Sequence, residues 1–200
     1  MHPYAFESPE RFKVPFYLAG AAIALTYAMK LAVEAAGVTA AGAYIPSGFV
    51  IYGLLWTLFD RHGWRWPWLR VLGVVRTPDL SGVWDATLRS SHSDLRREHA
   101  FTLRIDQTWN TIRLTLEGER SFSDSHMAGI RAISDSLFEI RWEYVAESKI
   151  PSDESFSHRG VTMLRFTLSD KRVDGEASGH YYTQQDRETH GQLSAQRTTA

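Results

Sequence analysis

The side chains that could carry out chemistry do not group into a catalytic or metal-binding motif. The chain has no cysteine, which excludes disulfides, thiolate nucleophiles and cysteine-bound metals. It contains no Walker loop, no GxGxxG fingerprint, no GxSxG nucleophile elbow and no HExxH zinc motif. The six histidines after residue 78 lack paired spacing, and His180 and His190 are the first to test as a single metal or haem ligand. We therefore expect no catalytic residue, no metal and no cofactor.

Short segments of alternating apolar and polar residues follow Leu80. Alternation is typical of strands with one buried face, and a succession of such strands favours an antiparallel all-β sandwich or up-and-down barrel. An eight-stranded barrel has room for side chains or one small ligand. The polar segment 148–158 predicts a loop beside the barrel mouth. The eight candidate strands are Gly82–Ser90, Glu98–Asp106, Trp109–Glu117, Arg120–Ala128, Ser136–Glu147, Gly160–Ser169, Arg172–Thr183 and Thr189–Thr198.

The alternation also predicts which side chains face the interior. Trp142 and Tyr144 share a face with apolar neighbours in the fifth candidate strand. Tyr181 and Thr183 share a face with glycine and alanine in the seventh, and such small residues leave room for a ligand. Arg197 has the inward parity in the last strand. These five residues are the candidate ligand-binding set, although packing in a core, or against Trp84 for Arg197, is an equally open interpretation.

Two apolar segments occupy residues 14–60. Val14–Ala36 begins with 16 uncharged residues, and Val38–Phe59 is uncharged throughout. A helix needs roughly 20 apolar residues to cross a bilayer, so the pair predicts a transmembrane hairpin, with a buried hairpin in a soluble protein as the alternative. Basic residues flank the pair, and the positive-inside rule puts both termini in the cytoplasm. These flanking residues are Arg11, Lys13, Arg61, Arg65, Arg70 and Arg76.

Composition divides the chain into four parts. Residues 1–13 are expected to be a cytoplasmic segment, 14–60 the hairpin, 61–78 an interfacial linker with three tryptophans, and 79–200 a cytosolic β-domain. The first 78 residues hold seven Lys and Arg against four Asp and Glu, whereas the remainder holds 15 against 19. An acidic domain disfavours polymeric nucleic acid as a partner. Small residues in the spans favour helix association, within the hairpin or between chains.

Two local features and the order of the elements resemble known families. Gly82-Val83-Trp84 resembles the opening of a lipocalin-type barrel, and Arg197 resembles the basic residue that packs over that tryptophan. Two spans followed by a small barrel resemble the two-transmembrane, β-strand-rich effectors of bacterial cyclic-oligonucleotide-based antiphage signalling (CBASS) systems. The resemblance implies a non-enzymatic effector of the inner membrane. Its barrel would bind a cyclic dinucleotide, and binding would cause self-association and membrane disruption.

The resemblance also implies roles for the candidate residues. A cyclic dinucleotide offers two bases for stacking and two phosphates for hydrogen bonding. Trp142, Tyr144 and Tyr181 would stack on bases, whereas Thr183 and Arg197 would contact phosphate. Two other functions use the same elements. One is a membrane-tethered carrier of a lipid or other apolar ligand, which predicts an apolar cavity. The other is a structural subunit that docks a partner protein.

Overall fold

The computed structural model describes residues 1–37, 46–91, 95, 97–149, 157–169, 172–184 and 188–198. The chain divides into two compact units. One contains Met1–Glu7 and Thr77–Ala200, and the other contains Ser8–Arg76. The first unit therefore includes the N-terminus, so the helical unit is inserted in sequence between a first strand and the remaining strands.

The first unit is an antiparallel sheet of nine strands with a single parallel pairing. Its strands pair in a closed ring in the order β1-β4-β3-β2-β9-β8-β7-β6-β5, with a further pairing of β4 with β5. From β2 to β9, each strand pairs with the next one in sequence. The strands are β1 His2–Phe6, β2 Gly82–Ser90, β3 Glu98–Gln107, β4 Thr111–Gly118, β5 Ser121–Ala132, β6 Leu137–Ser148, β7 Ser157–Ser169, β8 Arg172–Thr183 and β9 His190–Arg197.

The predicted all-β domain is confirmed, but the predicted number of about eight strands is wrong by one. The eight expected strands are present as β2–β9, and two of them, β2 and β8, have the predicted bounds. The added strand is β1, in a segment that the sequence analysis treated as a simple cytoplasmic tail. Most of the expected loop at 148–158 lies outside the described residues.

β1 fills a gap between two strands that separate. β4 and β5 pair over only three positions, Thr115–Glu117 with Phe122–Asp124. Beyond these positions β1 lies between them: His2 and Pro3 pair with β4, and 4–6 pair in parallel with Ala128–Ile130 of β5. We call this region, where β4 and β5 pair and then separate around β1, the β4–β5 seam. A five-residue strand containing proline gives no alternation long enough to predict, which is why the sequence analysis missed it.

One end of the ring is filled by side chains, and we call it the packed end. Trp84 is fully buried and packs edge-on against Phe166, with ring centroids 5.3 Å apart. The Trp84 indole nitrogen donates to the Leu80 carbonyl at 3.1 Å. The Arg197 guanidinium lies 5.3 Å from the centre of the Trp84 ring and donates to the Ser81 carbonyl. This is the arrangement that the lipocalin-type resemblance implies.

Gln107 joins three chain segments at the packed end. Its side-chain oxygen accepts from the Leu80 N–H at 2.9 Å, and its nitrogen donates to the Pro78 carbonyl at 3.1 Å and to the Tyr4 hydroxyl at 3.2 Å. Tyr4 in turn donates to the Thr108 carbonyl at 3.4 Å. Because Gln107 is buried, these bonds satisfy polar groups that water does not reach. They bind β1 and the segment before β2 to the same corner of the sheet.

The helical unit contains α1 Glu10–Ala35, α2 Gly48–Arg61, a 3₁₀ turn Gly63–Arg65 and α3 Pro67–Val71. Among the described residues, α1 alone has the length and apolar composition needed to cross a membrane. The second predicted span, Val38–Phe59, falls partly on residues 38–45, which lie outside the described residues, and α2 has 14 residues. The two-span topology therefore remains a prediction.

Asp124 and Arg113 join the two strands of the seam on the outer face. Arg113 donates from Nε at 2.9 Å and from Nη2 at 2.7 Å to the two carboxylate oxygens. Partial burial raises the pKa of Asp124, but the hydrogen bonds and charge of Arg113 outweigh this effect and leave the pKa below its ordinary value of 3.8. The stabilisation is therefore complete above about pH 3.8 and is lost as the pH falls through the lowered pKa.

We predict that Asp124→Asn causes a small loss of stability at pH 7, because the substituted side chain no longer carries the charge that pairs with Arg113. The difference from wild type should shrink as the pH falls below 3.8, since wild-type Asp124 then also loses its charge. Thermal unfolding across pH measures both effects, with the exposed Glu176→Gln as the control. A difference that persists undiminished at low pH would contradict the assignment.

Candidate ligand-binding cavity

A cavity of about 700 Å³ occupies the other end of the ring, which we call the open end. This volume lies within the range of about 300–1,000 Å³ that is typical of small-molecule sites. The lining comes from the ends of β2, β4, β6 and β8 and from the starts of the strands that follow them. The lining residues are Leu88, Ser90, Glu98, His99, Ala100, Phe101, Leu116, Glu119, Arg120, Ser121, Ser123, Trp142, Tyr144, Ala146, Glu147, Ser148, His158, Thr162, Tyr181, Thr183, Thr189 and Leu193.

One wall of the cavity is built from two adjacent rows of cross-strand neighbours on β6–β9. The inner row runs Trp142, Thr162, Tyr181 and Gly191. The outer row runs Tyr144, Gly160 and Thr183. Directly opposed side chains on one face of an antiparallel sheet lie close together. The rows therefore place two aromatic rings beside Thr162 and a third aromatic ring next to a glycine.

Three aromatic rings of the lining lie against glycines on the neighbouring strand. In each pair the two residues are register partners, and a Cβ on the glycine would collide with the aromatic ring. A glycine opposite an aromatic residue lets the ring fold down onto the backbone of the next strand instead of filling the interior. This arrangement keeps the open end hollow although it contains large side chains. The pairs are Phe101 with Gly118, Tyr144 with Gly160, and Tyr181 with Gly191.

Hydroxyl groups are the commonest polar groups of the lining. Thr183 bonds to Thr189 across the β8–β9 connection, with 3.0 Å between the hydroxyl oxygens, and accepts from the Thr189 N–H at 2.9 Å. Its hydroxyl therefore also fixes the rim of the cavity. The other serine and threonine residues of the lining are Ser90, Ser121, Ser123, Ser148 and Thr162.

Charges of both signs stand around the cavity. Arg120 is exposed at the start of β5, and His99 and His158 contribute two imidazoles. The His158 ring meets the Tyr144 ring edge-on, with 6.3 Å between centroids. Glu98 is paired with Arg89, whose Nε donates to it at 3.0 Å. The lining thus offers one guanidinium, two imidazoles and several hydroxyl groups to an anion, beside the carboxylates of Glu98, Glu119 and Glu147.

Four of the five predicted ligand-binding residues line the cavity together. Trp142, Tyr144 and Tyr181 are buried, and Thr183 is half-buried beside them. Arg197 lies elsewhere, because the last strand carries it to the packed end over Trp84. The structure therefore does not bring Arg197 together with the other four.

Several lining residues were not predicted. His158 and Thr162 lie on the same face of β7 as Leu164, and His99 and Phe101 lie on the same face of β3 as Leu103. Extending the alternation backward along each strand would have found them. Arg120 gave no such signal, because alternation along its predicted strand puts it on the opposite face from Ser121 and Ser123, which also line the cavity.

The two histidines proposed as single metal ligands lie outside the lining. His180 is exposed on β8, and His190 is exposed at the start of β9, where its backbone N–H donates to the Ser91 hydroxyl at 3.1 Å. In the part of the chain that the structure describes, no three His, Asp or Glu side chains group to hold a metal.

The first unit is thus a closed all-β ring whose packed end is solid and whose open end holds a cavity lined by aromatic, hydroxyl, basic and acidic groups. Residues 75–197 match the family described as "Cap15, cyclic dinucleotide receptor domain". The chain belongs to this family. The match covers β2–β9. It begins two residues before Thr77, where the chain re-enters the β-sheet unit.

A relative from Yersinia aleksiciae supports the same assignment. It is named CD-NTase-associated protein 15 and is 30% identical over 149 residues, which is 74% of this chain and 67% of the relative. Together with the family match, this similarity supports the resemblance to CBASS effectors at the level of the family.

We predict that Gly160→Ala lowers stability by about 1–3 kcal/mol, because the new methyl group would overlap the Tyr144 ring and approach the Tyr182 carbonyl. Gly175→Ala is the matched control on β8, since its Cβ would meet no atom within 4 Å and the change should stay within about 0.5 kcal/mol. Chemical denaturation of both variants measures the difference. Equal effects would contradict the role of Gly160 in seating the tyrosine.

Proposed function

We propose that this chain is a CBASS effector that binds a cyclic dinucleotide in the open-end cavity and then acts on the inner membrane. The cavity wall carries this proposal, because it places Trp142, Tyr144 and Tyr181 on neighbouring strands around a space of about 700 Å³. Membership of the cyclic dinucleotide receptor family supports the class of ligand.

The aromatic residues match the two bases of such a ligand. Tyr144 and Tyr181 lie against the backbone of the next strand through their glycine partners, which leaves ring surface available to the cavity. Stacking of a base on an aromatic ring contributes about 1–3 kcal/mol. Trp142 lies one row deeper than Tyr144 on β6 and forms the base of this wall. Two stacked bases would account for much of a micromolar or tighter affinity.

The polar lining matches the phosphates. Arg120 offers a guanidinium at the rim, and His99 and His158 supply further donors. A guanidinium binds a phosphate through two parallel hydrogen bonds, which makes it the strongest candidate contact. Arg120 replaces Arg197 in this role. The serine hydroxyls at the strand ends complete the set of donors.

The same lining disfavours the lipid carrier. A carrier of an acyl chain predicts an apolar cavity without convergent basic and hydroxyl groups. Here arginine, histidine, serine and threonine side chains contribute to the lining alongside the aromatic and aliphatic groups.

For the membrane step, we propose that α1 spans the bilayer and that the second apolar segment, up to Phe59, returns the chain to the cytoplasmic side. α1 exposes large apolar side chains, including Phe16 and Ile23, each more than 70% exposed. Such surface is typical of a segment in contact with lipid or with other helices. Ligand binding would cause self-association of the spans and disruption of the membrane.

We predict that Tyr181→Leu weakens binding of a cyclic dinucleotide by about 10–100-fold, because leucine keeps the side chain apolar but removes the stacking surface. Isothermal titration of the full chain in detergent against a panel of cyclic dinucleotides measures the effect. Tyr182→Leu is the matched control: Tyr182 is the next residue on β8, is 47% exposed and faces away from the cavity.

Wild-type protein that binds no member of the panel would overturn the proposed ligand. Equal losses in the Tyr181 and Tyr182 variants would overturn the proposed site while leaving the ligand in place.

Arg120→Gln should weaken binding and reduce its salt dependence, because it removes one phosphate-binding charge.

We predict that Ile23→Lys abolishes ligand-dependent membrane damage and leaves ligand binding intact. A lysine near the centre of a span costs about 2.5–3.5 kcal/mol, whereas Ile23→Leu keeps the position apolar and should behave as wild type. Dye release from vesicles containing the full chain measures the damage. Point variants are preferable to deletion of residues 1–60, because deletion would also remove β1. Undiminished dye release from the Ile23→Lys protein would contradict a spanning role for α1.

A further inference from the structure

The β4–β5 seam is the weakest closure of the ring. β4 and β5 share three paired positions, whereas β5 and β6 pair along nearly their whole lengths. β1 covers the remaining gap with two paired positions on β4 and three on β5. Elements with few paired backbone groups open at the lowest free energy in a folded protein. β1 is therefore held in the seam by few backbone pairs, and chiefly by the buried side chains of Tyr4 and Phe6 and the hydrogen bond between Tyr4 and Gln107.

The cavity reaches this same seam. Leu116 of β4 and Ser123 of β5 are register partners within the three paired positions, and both line the cavity. Ser125, two residues further along β5, accepts from the Leu114 N–H at 2.9 Å and lies 2.8 Å from Nε2 of His2. The β5 register shifts immediately after Ser125. A molecule in the cavity thus contacts residues one step away from those that hold β1.

β1 is also the element that connects the seam to the helices in sequence. Phe6, its last residue, is buried with its ring 6.3 Å from that of Phe138, and α1 begins only four residues later at Glu10. Only residues 7–9 therefore separate β1 from α1 in the chain.

We propose that β1 is a releasable strand that regulates the cavity: its release from the seam and the binding of a ligand in the cavity favour each other. This inference rests on the proposed cyclic dinucleotide ligand. The Arg113–Asp124 pair and the three paired positions of β4 and β5 hold the two strands together without β1, so the cavity wall persists after release. Release frees the segment that leads into α1.

The chain offers a clean test because it has no cysteine. Ala5 and Gly129 are register partners between β1 and β5, and a Cβ on Gly129 would lie 4.0 Å from the Cβ of Ala5. This separation suits a disulfide, for which Cβ atoms lie about 3.5–4.5 Å apart. The full-length double variant Ala5→Cys/Gly129→Cys therefore locks β1 in the seam when oxidised and frees it when reduced. Thiol titration measures the extent of closure.

Binding and release are linked, so a ligand that favours release must bind more weakly when release is blocked. We expect the oxidised variant to bind cyclic dinucleotide at least about five-fold more weakly than the reduced variant in isothermal titration. The double variant Ala5→Ser/Gly129→Ser is the control and should bind equally under both conditions. Tyr4→Ala, which loosens β1 without a disulfide, should bind more tightly than wild type.

Equal affinity of the oxidised and reduced proteins, or tighter binding by the oxidised form, would overturn the release of β1 while leaving the proposed ligand in place. Absence of binding in wild type and in both forms of the variant would instead overturn the proposed function, and the regulation with it. The two failures are therefore distinguishable in one set of titrations.

Discussion

Closure of the sheet across the β4–β5 seam is the constraint on which the rest of the structure depends. A strand at an open edge leaves unpaired N–H and C=O groups, and a closed ring removes every such edge. Eight strands pair in sequence order, but β4 and β5 meet over only three positions. The N-terminal strand completes the ring, so the receptor domain is built from both ends of the chain. The helical unit is thereby joined to it by two chain connections.

Within the closed ring, the arrangement of the inward side chains decides which end is solid and which is hollow. Fully buried Trp84 and Phe166 fill the packed end, with Arg197 over the tryptophan. At the open end, glycines opposite Tyr144 and Tyr181 let the rings lie along the wall. Aromatic residues occur at both ends, so it is the arrangement of the rings that leaves one end hollow and the other filled. A hollow end lined by rings and hydroxyls suits a flat, polar ligand.

Local pattern was sufficient to predict most of the fold and part of the cavity lining. The strands β2–β9 alternate strongly because one face is buried along their length, and the same alternation identified Trp142, Tyr144, Tyr181 and Thr183. β1 could not be predicted in this way. Its position is set by a gap between β4 and β5, and both of these strands lie more than 100 residues after β1 in the chain. The alternation in the last strand correctly predicted that Arg197 lies over the interior. Alternation does not show which end of the strand lies at the cavity, and Arg197 lies at the packed end.

We have proposed that the open-end cavity binds a cyclic dinucleotide. Hydrogen–deuterium exchange of the full chain with and without such a ligand tests it most directly, since it reports both binding and location. We expect slower exchange in the strand ends around Tyr144, Thr162 and Tyr181, with little slowing at the packed end around Trp84. Protection confined to the packed end or to the helices, or no protection at saturating ligand, would contradict it.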